Sequence, residues 1–175
     1  MNLSDIREEI EIEMELVEAT IKELLSLRQD VSKRNPTVRE KTAAATFLAQ
    51  CYTGIENILK RICKFYEVPL PTGTTWHVDL FNYFCESPKI PLPCLFDSSF
   101  ATALIPFRKF RHVVFHGYGF QLEWKQMQEG IERIEDIFYH FRTIIYSYLQ
   151  TLESYNKPII KELGDEANLK NCSLL

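Results

Sequence analysis

Residues 124–155 read WKQMQEGIERIEDIFYHFRTIIYSYLQTLESY. Met127, Ile134, Phe141, Tyr148 and Tyr155 recur at one position of a seven-residue spacing, and Ile131, Phe138, Ile145 and Leu152 at the other. That spacing lays a continuous apolar stripe along one face of a long helix and leaves the opposite face to polar side chains. Pro158 stops it, because proline cannot continue a helix.

The same period governs the N-terminal segment. Leu3, Ile10, Val17, Leu24 and Val31 share one heptad position over residues 3–33, and Ile6, Met14, Ile21 and Leu27 widen the stripe. Glu13 and Thr20 interrupt the second seam, which favours a helix packed in a bundle over a coiled coil. Asn35-Pro36 ends the segment, since the residue before proline avoids helical geometry. A second helix is predicted over 37–66, burying Phe47, Cys51, Ile55, Ile58, Leu59 and Ile62, until Pro69, Pro71 and Gly73 break the pattern. Residues 67–75 read as a connector, 76–85 as a short helix, and 87–93, with Pro88, Pro91 and Pro93, as a stiff loop. Helix character returns near Asp97, passes Pro106 as a kink or a restart, and ends at Gly117 and Gly119. No strand-like alternation of useful length occurs. The expected fold is all-α, an up-and-down bundle of four long helices and one short one over residues 1–160, followed by a tail over 161–175.

Bulk properties narrow the function classes. A chain of 175 residues with 46% hydrophobic and 13% aromatic content can fill its own core, and no apolar run approaches the roughly 20 residues of a membrane span. The first residues carry acid where a secretory signal carries base followed by an apolar stretch, so a cytoplasmic location is expected. Cys51, Cys63, Cys85, Cys94 and Cys172 are an odd set without close pairs, as expected of buried reduced thiols rather than a disulfide framework or a zinc site. The net charge of −4 is uneven. Residues 1–30 hold nine acidic and three basic side chains, whereas Arg108, Lys109, Arg111 and Lys125 face only Glu123 in sequence. Attraction of a polyanion depends on such local patches as well as on the total, although the acidic first helix lowers it at long range.

The basic patch contains the candidate site. Residues 111–118 read RHVVFHGY, placing Arg111, His116 and Tyr118 at the spacing Arg-x4-His-x-Tyr. Five residues on a regular helix separate two side chains by about 140° and about 7.5 Å along the axis. Either Arg111 and His116 serve different surfaces, or the helix loosens by His116, which the following glycines favour. Imidazole can take or give a proton near neutral pH while guanidinium holds a phosphate, a pairing suited to cleavage of RNA through its 2′-hydroxyl. Taken alone, Arg111 reads equally as a surface charge or an ion-pair partner of the acidic first helix. His112 and His116 have a spacing that can align two imidazoles for zinc, but Val113 stands where a metalloprotease has Glu and no third ligand is apparent. His77 and His140 read as structural.

This stretch resembles the signature of the HEPN superfamily, and more narrowly the HepT-type ribonuclease toxins; residues 110–112 and 118–124 around it are similar to a HepT-like subgroup. The resemblance implies a small helical bundle that pairs into a homodimer with a composite groove, and metal-independent RNA cleavage in which Arg111 and His116 are catalytic, without a cofactor. Arg108, Lys109 and His112 would then contact RNA. It further implies that Tyr118 is the residue to which an MNT-type nucleotidyltransferase antitoxin attaches AMP, a bulky anionic adduct that would block the phosphate pocket. The segment 52–60, YTGIENILK, resembles the second-helix pattern of the same family. There Glu56 orients a motif residue or bridges the dimer, or is a solvated helix charge, the reading its exposed-type side chain favours. The alternative to the toxin is a non-catalytic HEPN module serving as an interaction or RNA-binding adaptor.

Overall fold

The computed structural model describes residues 2–86, 88–117 and 122–156, without the side chains of His116, Tyr155 and Asn156. The described residues form five helices and no strand: α1 (Leu3–Asp30), α2 (Val38–Phe65), α3 (Trp76–Asn82), α4 (Ser98–His116) and α5 (Trp124–Asn156). This is the all-α bundle that the periodicity predicts, consistent with the HEPN-like fold that the resemblance implies. Tyr118 and the tail over 161–175 lie outside the described residues.

Local chemistry starts each long helix where expected. Asn2 and Asp5 cap α1 reciprocally, and Thr37 and Glu40 do the same for α2, each pair satisfying backbone N–H groups that the first turn leaves open. Asp97 accepts from the backbone N–H of Phe100 and starts α4. At the other end of α2 the chain turns through Glu67 at φ 57°, with the Val68 N–H donating to the Cys63 carbonyl at 2.9 Å. That left-handed turn aims the connector back over the bundle and buries Val68.

α2 is the central element. It packs against α1, α3, α4 and α5, so its apolar surface is wider than one stripe and includes Ala44, Ala45, Leu48 and Tyr52 besides the expected Cys51, Ile55, Ile58, Leu59 and Ile62. Phe47, expected inside, is only partly buried. The α1 stripe is buried from Ile6 to Leu24, and α5 buries Met127, Ile131, Ile134, Phe138, Phe141, Ile145 and Tyr148. Glu13 breaks the α1 seam for a visible reason. Its carboxylate accepts from Asn57 Nδ2 at 3.0 Å and pairs with Arg61 at 2.9 Å, a polar clamp between α1 and α2.

Next to that clamp the two helices approach unusually closely. A Cβ added at Gly54 would lie 2.1 Å from Val17 Cγ2, so only glycine fits. Gly54→Ala is expected to destabilise the fold by about 1–3 kcal/mol through overpacking, although alanine is the better helix former by about 1 kcal/mol. Adding Val17→Ala should recover most of that loss in a denaturant melt. A stable single variant would contradict the close approach.

Some expectations need correction. α4 runs without interruption through Pro106, which lies on its exposed side, so proline does not restart the helix. α4 also stays helical through His116, and Gly117 ends it in extended backbone at φ −103°. Glycine is needed there because a Cβ would come within 2.7 Å of the Val113 carbonyl oxygen. Cys51 and Cys63 are buried, but Cys85 is half-buried and Cys94, in the loop before α4 where no helix covers it, is exposed; Cys172 lies outside the described residues. His140 is exposed, its ring edge against Phe100 at 4.9 Å. No helix of the described residues is long and apolar enough to cross a membrane.

Candidate active site around Arg111

α3 and α4 both lie on α2, and Arg111 is where the three meet. Leu80, Phe81 and Phe84 anchor α3 in the core, with Phe81 stacked on Phe96 at 4.9 Å. This fixes the start of α3 over the middle of α2. Phe100, Leu104 and Phe107 anchor α4, and the helical period then turns Arg108, Arg111, His112 and Phe115 toward one stripe.

At the centre stands Glu56, 1% exposed, where sequence reasoning placed a solvated charge. It lies four residues after Tyr52 and three before Leu59, both buried, so the helical period puts a carboxylate on the apolar face. A buried carboxylate needs partners. One oxygen, Oε1, lies 2.8 Å from His77 Nδ1, and the other, Oε2, lies 3.4 Å from Arg111 Nε. Arg111 Nε donates to Thr53 Oγ1 at 3.0 Å, leaving Oε2 buried without a hydrogen bond among the described residues. Arg111 thus pairs with α2, not with the acidic first helix.

The guanidinium also meets an imidazole. Arg111 NH1 lies 3.3 Å from His77 Nδ1 and 3.2 Å from Nε2. The two ring nitrogens flank Cε1, so an in-plane donor equidistant from both would collide with that carbon. NH1 therefore approaches from over the ring face, with its N–H aimed at the ring nitrogens. Phe115, with its ring centre 5.0 Å from Arg111 Cζ, and Trp76, at 6.0 Å, flank the cation, and Lys60 Nζ lies 4.7 Å from the Trp76 ring. The Arg111 side chain is 18% exposed and that of His77 26%, so the cluster opens to solvent on one side.

Burial raises the Glu56 carboxyl to about 7 against the opposing pull of Arg111, Lys60 and Arg108. Burial also lowers His77 to about 4, helped by Arg111, Lys60, His112 and Arg108. Both shifts favour neutral forms although the groups lie within hydrogen-bond distance. The geometry reconciles them: below about 7 a protonated Glu56 donates to Nδ1, and above it Nδ1–H donates to the carboxylate.

Of the residues singled out from sequence, Arg111 is in the cluster. Arg108 is half-buried in the groove between α3 and α4, beside Val78, Cys85 and Thr102, close enough to act on both Glu56 and His77. His112 is exposed and adds to the positive field at His77; Lys109 is exposed on the next stripe with Val113. His116 is the last residue of α4, five positions and about 140° of helical rotation after Arg111. Its side chain and all of Tyr118 lie outside the described residues. Among the described residues no cluster of three or more His, Cys, Asp or Glu could hold a metal ion. Missed by the sequence were Thr53, Trp76 and His77 as members of the cluster; Glu56 was named as a residue that orients a motif residue, but a solvated charge was the favoured reading. Only Glu56 carried a signal, as an acid on an apolar stripe.

A family model described as HepT-like protein matches residues 43–152, more than half of the chain and all of the Arg111 cluster. No curated protein and no solved structure matches. The all-helical bundle, the Arg-x4-His-x-Tyr stretch and this match agree, and the chain belongs to the HepT-like family of the HEPN superfamily.

Proposed function

We propose that this protein is a metal-independent endoribonuclease toxin that acts as a homodimer. The observation that carries the reading is the fixed Arg111 guanidinium. Thr53, Glu56 and His77 hold it, it stays 18% exposed, Trp76 and Phe115 flank it, and Lys60 and His112 add positive charge nearby. A permanent cation so positioned suits the non-bridging oxygens of a phosphodiester, and the surrounding positive field favours a polyanion. The helical position of His116, about 140° of rotation from Arg111, supports a composite site, because one subunit's regular helix does not bring the two positions to one face. Val113 and Phe115, 52% and 60% exposed, supply apolar surface beside it for a second copy to cover.

The test is incubation of purified protein with RNA in excess chelator, beside Arg111→Ala and His116→Ala. Wild-type protein should leave 2′,3′-cyclic phosphate ends, and both variants should not. Cleavage persisting in both would sink the site; intact RNA with the wild type would favour the non-catalytic adaptor.

Regulation by an MNT-type nucleotidyltransferase belongs to the same reading. Tyr118 follows Gly117 directly and is two residues beyond the end of the motif helix, so AMP on its hydroxyl would bring a phosphate to this cationic surface. Co-expression with such an enzyme should add one AMP mass to the wild type and none to Tyr118→Phe. A Tyr118→Phe protein that still gains AMP would remove the assignment.

A further inference from the structure

We propose that His77, a residue outside the Arg-x4-His stretch, is a catalytic base of this site, taking the ribose 2′-hydroxyl proton while Arg111 of the same subunit holds the phosphate. The assignment rests on the nuclease reading above and adds a residue to it. Three observations on the cluster carry it. Glu56, buried, holds Nδ1 at 2.8 Å and so fixes the ring and its tautomer: with Glu56 ionised, Nδ1 carries the proton and Nε2 the lone pair. Arg111 NH1 approaches Nε2 at 3.2 Å from over the ring face, so the guanidinium does not occupy the in-plane lone-pair direction of Nε2. The side chain is 26% exposed at the opening, so a substrate can reach it. Among the described side chains, this is the imidazole in contact with Arg111.

The proton inventory closes. Nε2 takes the 2′-hydroxyl proton as that oxygen forms a bond to phosphorus, the bond from phosphorus to the 5′-oxygen breaks, and the leaving oxygen takes a proton from a second imidazole, which we assign to His116 of the partner subunit. The products are a 2′,3′-cyclic phosphate and a 5′-hydroxyl. A bound phosphate offsets the cations that face His77, namely Lys60 from α2 and Arg108, Arg111 and His112 from α4, and so strengthens it as a base when substrate is present. Because protonated Glu56 would donate to Nδ1 and move the ring proton to Nε2, activity needs ionised Glu56. The groups facing that carboxyl are Lys60, His77, Arg108 and Arg111.

Single-turnover cleavage of an RNA oligonucleotide between pH 5.5 and 8.5 tests this in wild type, His77→Ala, His77→Gln and Glu56→Gln. Both His77 variants should lose about 100- to 1,000-fold in kcat with KM changed less than about threefold. The wild-type rate should rise through pH 7 on a limb that Glu56→Gln flattens. His77→Gln keeps a hydrogen-bonding side chain on Glu56, and circular dichroism reports whether it folds. If a folded His77→Gln cuts RNA within threefold of wild type, His77 is not the base and the nuclease reading stands without it. If the wild type itself does not cut, both fall.

Discussion

Arg111→Ala is expected to lower kcat/KM for RNA cleavage by about 1,000-fold, on the order of 4 kcal/mol of transition-state stabilisation. The magnitude follows from position. The guanidinium is fixed through Nε on Thr53 and by the NH1 contact with the His77 ring before substrate arrives, so little reorganisation is needed as charge grows on the phosphate. Arg111→Lys should recover no more than about tenfold of the loss. Lysine keeps the charge, but it has neither the planar fork that meets Thr53 and Glu56 together nor a flat face for the imidazole. The same substitutions separate chemistry from folding. Arg111→Ala leaves Glu56 without its nearest cation, so its loss of melting temperature should be larger at pH 8, where the carboxyl is ionised, than at pH 5.5. A variant that circular dichroism shows folded at pH 8 and that still fails to cut RNA there has lost the phosphate clamp. Retention of activity within tenfold would place the cleavage elsewhere.

The cluster also shows which parts of such a protein are legible in sequence. α1 and α5 are long enough for the apolar spacing to repeat many times, and Asn35-Pro36, Thr37, Asp97 and Gly117 punctuate the chain by short-range chemistry; that is why the helix limits agree within a few residues. The buried faces of α2 were harder to delimit, because a helix packed on four neighbours has more than one apolar stripe. Arg111 stood out through its spacing to His116 and Tyr118. Glu56 did not, because acids are usually solvated, and only the packing of α3 and α4 on the same face of α2 removes water from it. His77 had no periodic signal at all. Seven residues of α3 hold too few turns for a pattern, and its partner Arg111 is 34 positions away, brought near by a connector whose turn at Glu67 no spacing rule specifies.

Stability as a function of pH tests the Glu56–His77 pair without reference to activity. A carboxyl whose folded value is raised stabilises the fold below its unfolded value and loses that contribution as pH rises through the folded one. For Glu56 the window runs from 4.5 to about 7, a difference on the order of 3 kcal/mol for a side chain 2% exposed. His77 has the opposite sign. An imidazole with a depressed value contributes fully above its unfolded 6.5 and loses that as pH falls toward about 4. Over the shared window, pH 4.5 to 6.5, the unfolded chain gives up a proton at Glu56 while holding one on His77, and the two slopes oppose each other. Each single variant should expose the remaining slope. Relative to wild type, Glu56→Gln should gain stability as pH rises from 4.5 to 8, since it removes a carboxylate that must ionise in a buried place. His77→Gln should lose relative stability from pH 4 to 6.5, since it removes the imidazole that folds poorly as a cation. Chemical denaturation of the three proteins at pH 4.5, 6.5 and 8 reads both. Differences from wild type that stay flat across these pH values would mean that Glu56 and His77 titrate as they do in the unfolded chain, and that the carboxyl does not control the ring proton of His77.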